Sequence, residues 1–354
     1  MICHFALTYR WQHGANWLDS MEPYIANLGR SAVAIFFIIT GFLFFGRVFA
    51  QGQTLRWRVF FISRIFRIYP LYLVVVAIIF LLSFIESGFG LNVSPLQLLK
   101  SVIQWLSFSS GPINGNAEAH VKIAHVEWTL RFEWAFYVAL PFLAMILHRS
   151  VKLFLVIAFC SMVFCVFPTR IELLHLGFGT KYFVLFFAGA LVAWLQPIVS
   201  NSQAQHWIDG PAVGAFCLTA WLCLILLFES SYGLIQSFIL AAIVLPIVCG
   251  NSVLGLLSRK GSIALGEISY SIYLCHGLVL YLVFTTSFPA FLNTISFDQA
   301  LWLLPATAIA VSAVSALTFV LVERPGISLG KSLGKKSVTV GNQTTKLSSA
   351  QHNE

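Results

Sequence analysis

The chain has 354 residues, 58% of them hydrophobic and only 10% charged, with 33 Phe. A soluble domain runs at roughly 45–50% apolar and about 25% charged, so the composition excludes a soluble enzyme or binding module and indicates a polytopic membrane protein. A net charge of +8 on a soluble chain would suggest nucleic acid. Here Lys and Arg stand between hydrophobic runs, as membrane topology requires, and the expected surroundings are a lipid bilayer with no nucleic-acid partner.

Runs long enough to cross a bilayer, about 17–25 residues each, fall at 31–50, 66–87, 128–147, 151–167, 180–196, 211–228, 233–250, 268–287 and 300–322. Ahead of them, Met1–Leu7 reads as the last turns of an incomplete helix. The expected fold is therefore all-α, a polytopic transmembrane helix bundle of about ten helices with the first one truncated. Pro95–Phe108 is apolar but too short to span comfortably, and it reads as an interfacial or re-entrant piece.

Lys and Arg orient the bundle. Loops 47–67 and 323–354 carry five each and loops 148–152 and 251–267 two each. On the other side, 1–30, 89–127 and 168–181 carry two each, while 229–232 and 288–299 carry none. The positive-inside rule places the first set, with the C-terminus, in the cytoplasm. From Lys331 the chain is polar, small and basic, the composition of a disordered tail. The expected division is a membrane domain over 1–327 and a cytoplasmic tail over 328–354. The seven cysteines all lie in apolar runs and read as small core residues, without disulfide or zinc spacing.

Trp128–Pro141 is a lipid-compatible helix with Arg131 and Glu133 inside it. A charge at such a place costs ~2.5–3.5 kcal/mol on insertion scales and marks a functional site by default. Thr129, Glu133 and Tyr137 stand at i, i+4 and i+8 and share one face, a polar stripe aimed at other helices. His4, at the outer end of the first helix, is either a satisfied interfacial residue or a general base. The second role needs an orienting partner and a reacting hydroxyl within hydrogen-bond reach. Glu133 lies ~7.5 Å along its helix from Trp128 at 1.5 Å per residue, so His4 and Glu133 can occupy a similar depth.

Arg64 and Arg67 stand three apart on one helix face and can converge on a single anion; the same arginines would also serve as topology anchors. Ser269, Tyr273 and His276 share a face at i, i+4 and i+7, which suits either a cavity or interhelical hydrogen bonding. His120, His125 and Glu127 lie in the longest external loop at a spacing that matches no zinc pattern, and they read as a wet loop near a substrate entrance. No metal and no permanently bound cofactor is expected.

Taken together these segments resemble the acyltransferase 3 family of integral membrane acyltransferases, the bacterial polysaccharide O-acetyltransferase type. Gly29–Leu43 looks like the family's segment ending V-x-x-F-F-x-x-S-G-F, with Thr40 where Ser is usual. Arg64–Pro70 resembles its R-x-x-R-I-x-P, and Trp128–Tyr137 its W-S-L-x-x-E-x-x-F-Y. Leu265–His276 resembles its L-G-x-I-S-Y-S-x-Y-L-x-H, and Glu323-Arg324-Pro325 its closing E-R-P.

The resemblance implies that His4 and Glu133 are catalytic, and that Arg64 and Arg67 hold the phosphates of an acyl-CoA donor. Trp128, Thr129, Tyr137, Ser269, Tyr273 and His276 are then candidates for the substrate pocket. The implied partners are acyl-CoA, most simply acetyl-CoA, and a carbohydrate or glycolipid acceptor. The implied location is the bacterial inner membrane. The Arg that the family places eleven residues before its His falls ahead of Met1. Two other readings stay open: a transporter or flippase with Glu133 on its path, and an inactive truncated family member.

Overall fold

The structure, a computed structural model, describes residues 1–17, 21–150, 181–287 and 294–335, together with Leu153, Val156 and Phe291. Its principal helices in chain order are α1 (Ile2–Gln12), α2 (Pro23–Gln51), α3 (Trp57–Glu86), α4 (Pro95–Leu106) and α5 (Trp128–Arg149). They continue with α6 (Lys181–Ser200), α7 (Pro211–Leu227), α8 (Leu234–Val248), α9 (Ser269–Leu282) and α10 (Leu304–Thr318). No strand occurs among the described residues, in keeping with the all-α expectation.

Six helical stretches among the described residues are long and apolar enough to cross a membrane: Pro23–Gln51, Trp57–Glu86, Trp128–Arg149, Tyr182–Ser200, Ser269–Thr286 and Phe297–Lys335. The runs at 211–228 and 233–250 fold as shorter apolar helices of 17 and 15 residues. The run at 151–167 lies outside the described residues, apart from Leu153 and Val156. The short apolar piece after α3 is the twelve-residue α4, started by a Ser94/Gln97 capping box. Its Leu96, Leu99 and Ile103 face outward.

The chain divides into two units. The first comprises Met1–Leu55, Trp128–Glu267 and Phe288–Leu304. At its centre α2 and α6 approach backbone to backbone. A Cβ on Gly41 would strike the backbone of Phe186, and one on Gly189 the backbone of Ile38 and Phe42. Small residues at such crossings let membrane helices pack by van der Waals contact, since lipid supplies no hydrophobic drive between them. The glycine of the Thr40-Gly41 pair is thus a packing requirement.

Polar side chains at the start of α2 cap the end of α7. The Asn27 amide donates to the carbonyls of Ile225 (3.3 Å) and Phe228 (2.6 Å). Ser231 donates to Asn27 Oδ1 at 3.1 Å, and Trp221 Nε1 to Ser31 Oγ at 3.2 Å. Carbonyls that a helix C-terminus leaves unpaired are satisfied this way. α1 is tied to the segment before α10 by the Tyr9 hydroxyl, which donates to the carbonyl of Ile295 at 2.7 Å.

The second unit comprises Arg56–Glu127, Ile268–Ser287 and Pro305–Glu354. Here α3 meets α9 and the C-terminal helix. Gly326, Gly330 and Gly334 recur every fourth residue; the first two lie against Phe66 of α3, Gly330 also near Ile62, and Gly334 against Val59. This stripe lets the two backbones run antiparallel at close range. It carries the helix past Lys331 to Lys335, through the start of the stretch whose composition suggests a disordered tail. Residues beyond Lys335 lie outside the described set.

Candidate functional site

In the first unit, α5 presents the polar face that the i, i+4, i+8 spacing predicts. Thr129, Glu133 and Tyr137 are 1%, 7% and 0% exposed. The Tyr137 hydroxyl donates to Glu133 Oε1. Rings pack beside it: Tyr137 meets Phe44 edge-on at 5.1 Å, and Phe136 stacks on Phe186 at 4.3 Å. Trp128, at the head of α5, packs against Phe37 and Tyr182 with centroids 6.4 and 4.9 Å apart. A carboxylate buried in an apolar helix bundle sits in a low-dielectric setting, where its interaction with a developing positive charge is strengthened. Arg131, two residues away, is half-buried on another face.

His4 is half-buried on α1, where its carbonyl accepts the Thr8 hydroxyl at 2.7 Å. Cys3, the preceding residue, lies within 3.3 Å of where a Cβ on Gly29 would stand, so α1 and α2 meet closely at this level.

In the second unit the structure joins residues from three separated motifs. Arg67 on α3 forms an ion pair with Glu323 at 3.7 Å. Glu323, 0% exposed, closes a π-helical turn, Phe319–Glu323, that follows α10. Its Oε2 accepts the Ser271 hydroxyl of α9 at 2.7 Å. Arg64, one turn before Arg67, is half-buried, and its Nε approaches Ser63 Oγ at 3.4 Å.

The sequence face Ser269, Tyr273 and His276 is only partly gathered. The Tyr273 and His276 rings lie 6.2 Å apart, while Ser269 is exposed. The serine of this motif that turns inward is Ser271. The Tyr273 hydroxyl donates to the carbonyl of Val126 at 2.8 Å, which holds the loop before α5 against α9. His276 Nδ1 lies 3.0 Å from the Ile272 carbonyl. A carbonyl can only accept, so Nδ1 carries the proton and, in the neutral ring, Nε2 keeps its lone pair.

The loop before α5 is built more tightly than its composition suggests. Lys122, 1% exposed, reaches Glu86 at the end of α3 at 2.8 Å, and Tyr281 donates to the same carboxylate at 2.5 Å. Left-handed φ angles at Ala124 (54°) and His125 (51°) fold the segment back on itself. The rings of His120 and His125 then stand 5.0 Å apart, and His125 Nε2 lies 3.7 Å from buried Glu127. Burial chiefly, helped by His125, pushes the pKa of His120 below its ordinary value, which favours the neutral imidazole.

Glu323 and Ser271 join Arg67 in this cluster, and the sequence alone does not single them out. The signal was present in the closing E-R-P, where a charge stands inside an apolar run. The chain is 24% identical over 369 residues to nodulation protein 10 of Rhizobium leguminosarum bv. viciae, a match that covers 93% of this chain and 92% of that protein. No solved structure matches it. The family model of the acyltransferase domain matches residues 1–322, from α1 up to the residue before Glu323, and the chain belongs to the acyltransferase 3 family.

Proposed function

We propose that this chain is an O-acyltransferase that moves an acyl group, most simply acetyl, from acyl-CoA to a hydroxyl of a cell-surface carbohydrate or glycolipid. The observation that carries the reading is Glu133, a buried acid with a hydroxyl partner inside an otherwise apolar span of a membrane acyltransferase-family chain. In this mechanism His4 takes the proton of the acceptor hydroxyl as its oxygen bonds to the acyl carbon. The carbon–sulfur bond breaks, and the proton passes to the CoA sulfur. Glu133 orients the imidazole or offsets its transient positive charge, and Tyr137 holds the carboxylate in one rotamer. Arg64 and Arg67 take the donor's phosphates, a task suited to paired guanidiniums.

The donor assignment is tested by CoA binding to purified, monodisperse Arg64→Ala/Arg67→Ala. The expected result is an affinity weakened by roughly tenfold or more, as for the loss of charge-assisted hydrogen bonds. Unchanged affinity would mean that the arginines serve topology alone.

We place the chain in the bacterial cytoplasmic membrane with the C-terminus inside, a proposal supported by the Lys/Arg distribution. Reporter fusions after Arg149 and Lys260 should then read as cytoplasmic, and those after Asn116 and Asn293 as external. A cytoplasmic readout at Asn116 would reverse the orientation and move the donor site to the wrong face.

A further inference from the structure

We infer that Glu323 is the positioning residue of the donor site, holding the Arg67 guanidinium in place for the phosphates of acyl-CoA while Ser271 fixes the carboxylate. The inference rests on the donor reading above. An arginine that serves only as a topological anchor needs no buried counter-charge, because it can extend its head to the interface. A carboxylate within a membrane-spanning stretch is costly and is kept where it has a task. Glu323 is wholly buried, yet Arg67 on the neighbouring helix is 38% exposed, so the pair joins a fixed charge to an accessible one.

Three features fix the carboxylate. Ser271 donates to Oε2 at 2.7 Å from α9. The π-turn Phe319–Glu323 re-aims the side chain at the end of α10, and such turns recur at functional sites. Immediately after it, Gly326 and Gly330 seat the helix on Phe66, the residue before Arg67. Gly326 packs on the Phe66 carbonyl, which lies four residues before Pro70 and so loses its intrahelical donor. The register between Glu323 and Arg67 is therefore set by backbone contact.

Glu323 meets Arg67 through one nitrogen, Nη1, at 3.7 Å, and its Oε1 makes no hydrogen bond. A guanidinium carries five N–H donors, so this approach orients Arg67 without exhausting it. A bidentate pair at shorter range would compete with an incoming phosphate; this geometry holds the arginine and leaves it able to bind.

The test is CoA binding by calorimetry on detergent-purified protein: wild type, Arg67→Ala, Glu323→Gln, Ser271→Ala and Arg67→Ala/Glu323→Gln. Glu323→Gln should weaken CoA binding roughly tenfold, and Ser271→Ala by less. In the Arg67→Ala background Glu323→Gln should have no further effect, the non-additivity expected of a residue that acts through another. A merely structural role would lower the melting temperature and leave the affinity of the folded fraction unchanged. Weakened binding in Arg67→Ala with normal binding in Glu323→Gln overturns this inference and spares the donor reading. Normal binding in Arg67→Ala overturns the donor reading itself, and this inference with it. Should Glu323→Gln not be recovered folded, Glu323→Asp and Ser271→Ala take its place, and unchanged affinity in both overturns the inference.

Discussion

Glu133→Gln is expected to lower acyl transfer by ~10²-fold or more while CoA still binds. The amide preserves the shape of the side chain and can still accept from the Tyr137 hydroxyl, so α5 packs as before. It loses the negative charge that would offset an imidazolium in the transition state. His4→Ala should be at least as severe, because loss of a general base costs typically ~10²–10⁴-fold. Both follow from initial rates with acetyl-CoA in membranes matched for protein level. The split matters: donor affinity is assigned to arginines in the other unit, so rate should fall without a matching fall in CoA binding. Wild-type turnover by either variant would remove that residue from the mechanism.

The second large effect concerns folding. Gly41→Ala and Gly189→Ala each place a Cβ inside the backbone of the facing helix. No rotamer change relieves such a collision, so α2 and α6 must separate. The expected cost is at the upper end of the ~1–3 kcal/mol typical of overpacking, or beyond it. Gly46→Ala on the same helix is the control, since its Cβ would meet only the Ala193 Cβ at 3.9 Å, an ordinary contact. Alanine's better helix propensity, up to ~1 kcal/mol over glycine, should leave Gly46→Ala neutral or slightly stabilised. Thermal unfolding in detergent distinguishes them: two variants melt early or aggregate, and the third does not. Equal melting of all three would contradict the close approach of α2 and α6.

Much of this was legible in the sequence wherever the signal is local. The spacing of Thr129, Glu133 and Tyr137 gives their shared face, because helix periodicity alone decides it. Six of the spanning stretches follow from hydropathy in the same way.

What escaped is non-local. Ser271 and Glu323 are 52 residues apart, and no periodicity links them to each other or to Arg67. The stretch from Lys331 reads as a tail by composition, whereas Gly326, Gly330 and Gly334 form a packing stripe whose meaning depends on the partner α3. The loop residues His120, His125 and Glu127 draw together through left-handed turns at Ala124 and His125, neither of them the glycine that usually announces such a turn. The run at 151–167 falls almost wholly outside the described residues.

Transfer of an acyl group from acyl-CoA to a hydroxyl can be followed in membranes by the fate of the acyl group itself. Membranes containing the chain would be supplied with acetyl-CoA labelled in the acetyl group, and the label followed into the carbohydrate and glycolipid fraction. Membranes lacking the chain, and membranes with Glu133→Gln, serve as references. The expected result is base-labile label in that fraction for the wild-type chain and little above background in both references. Equal incorporation with and without the chain would contradict it.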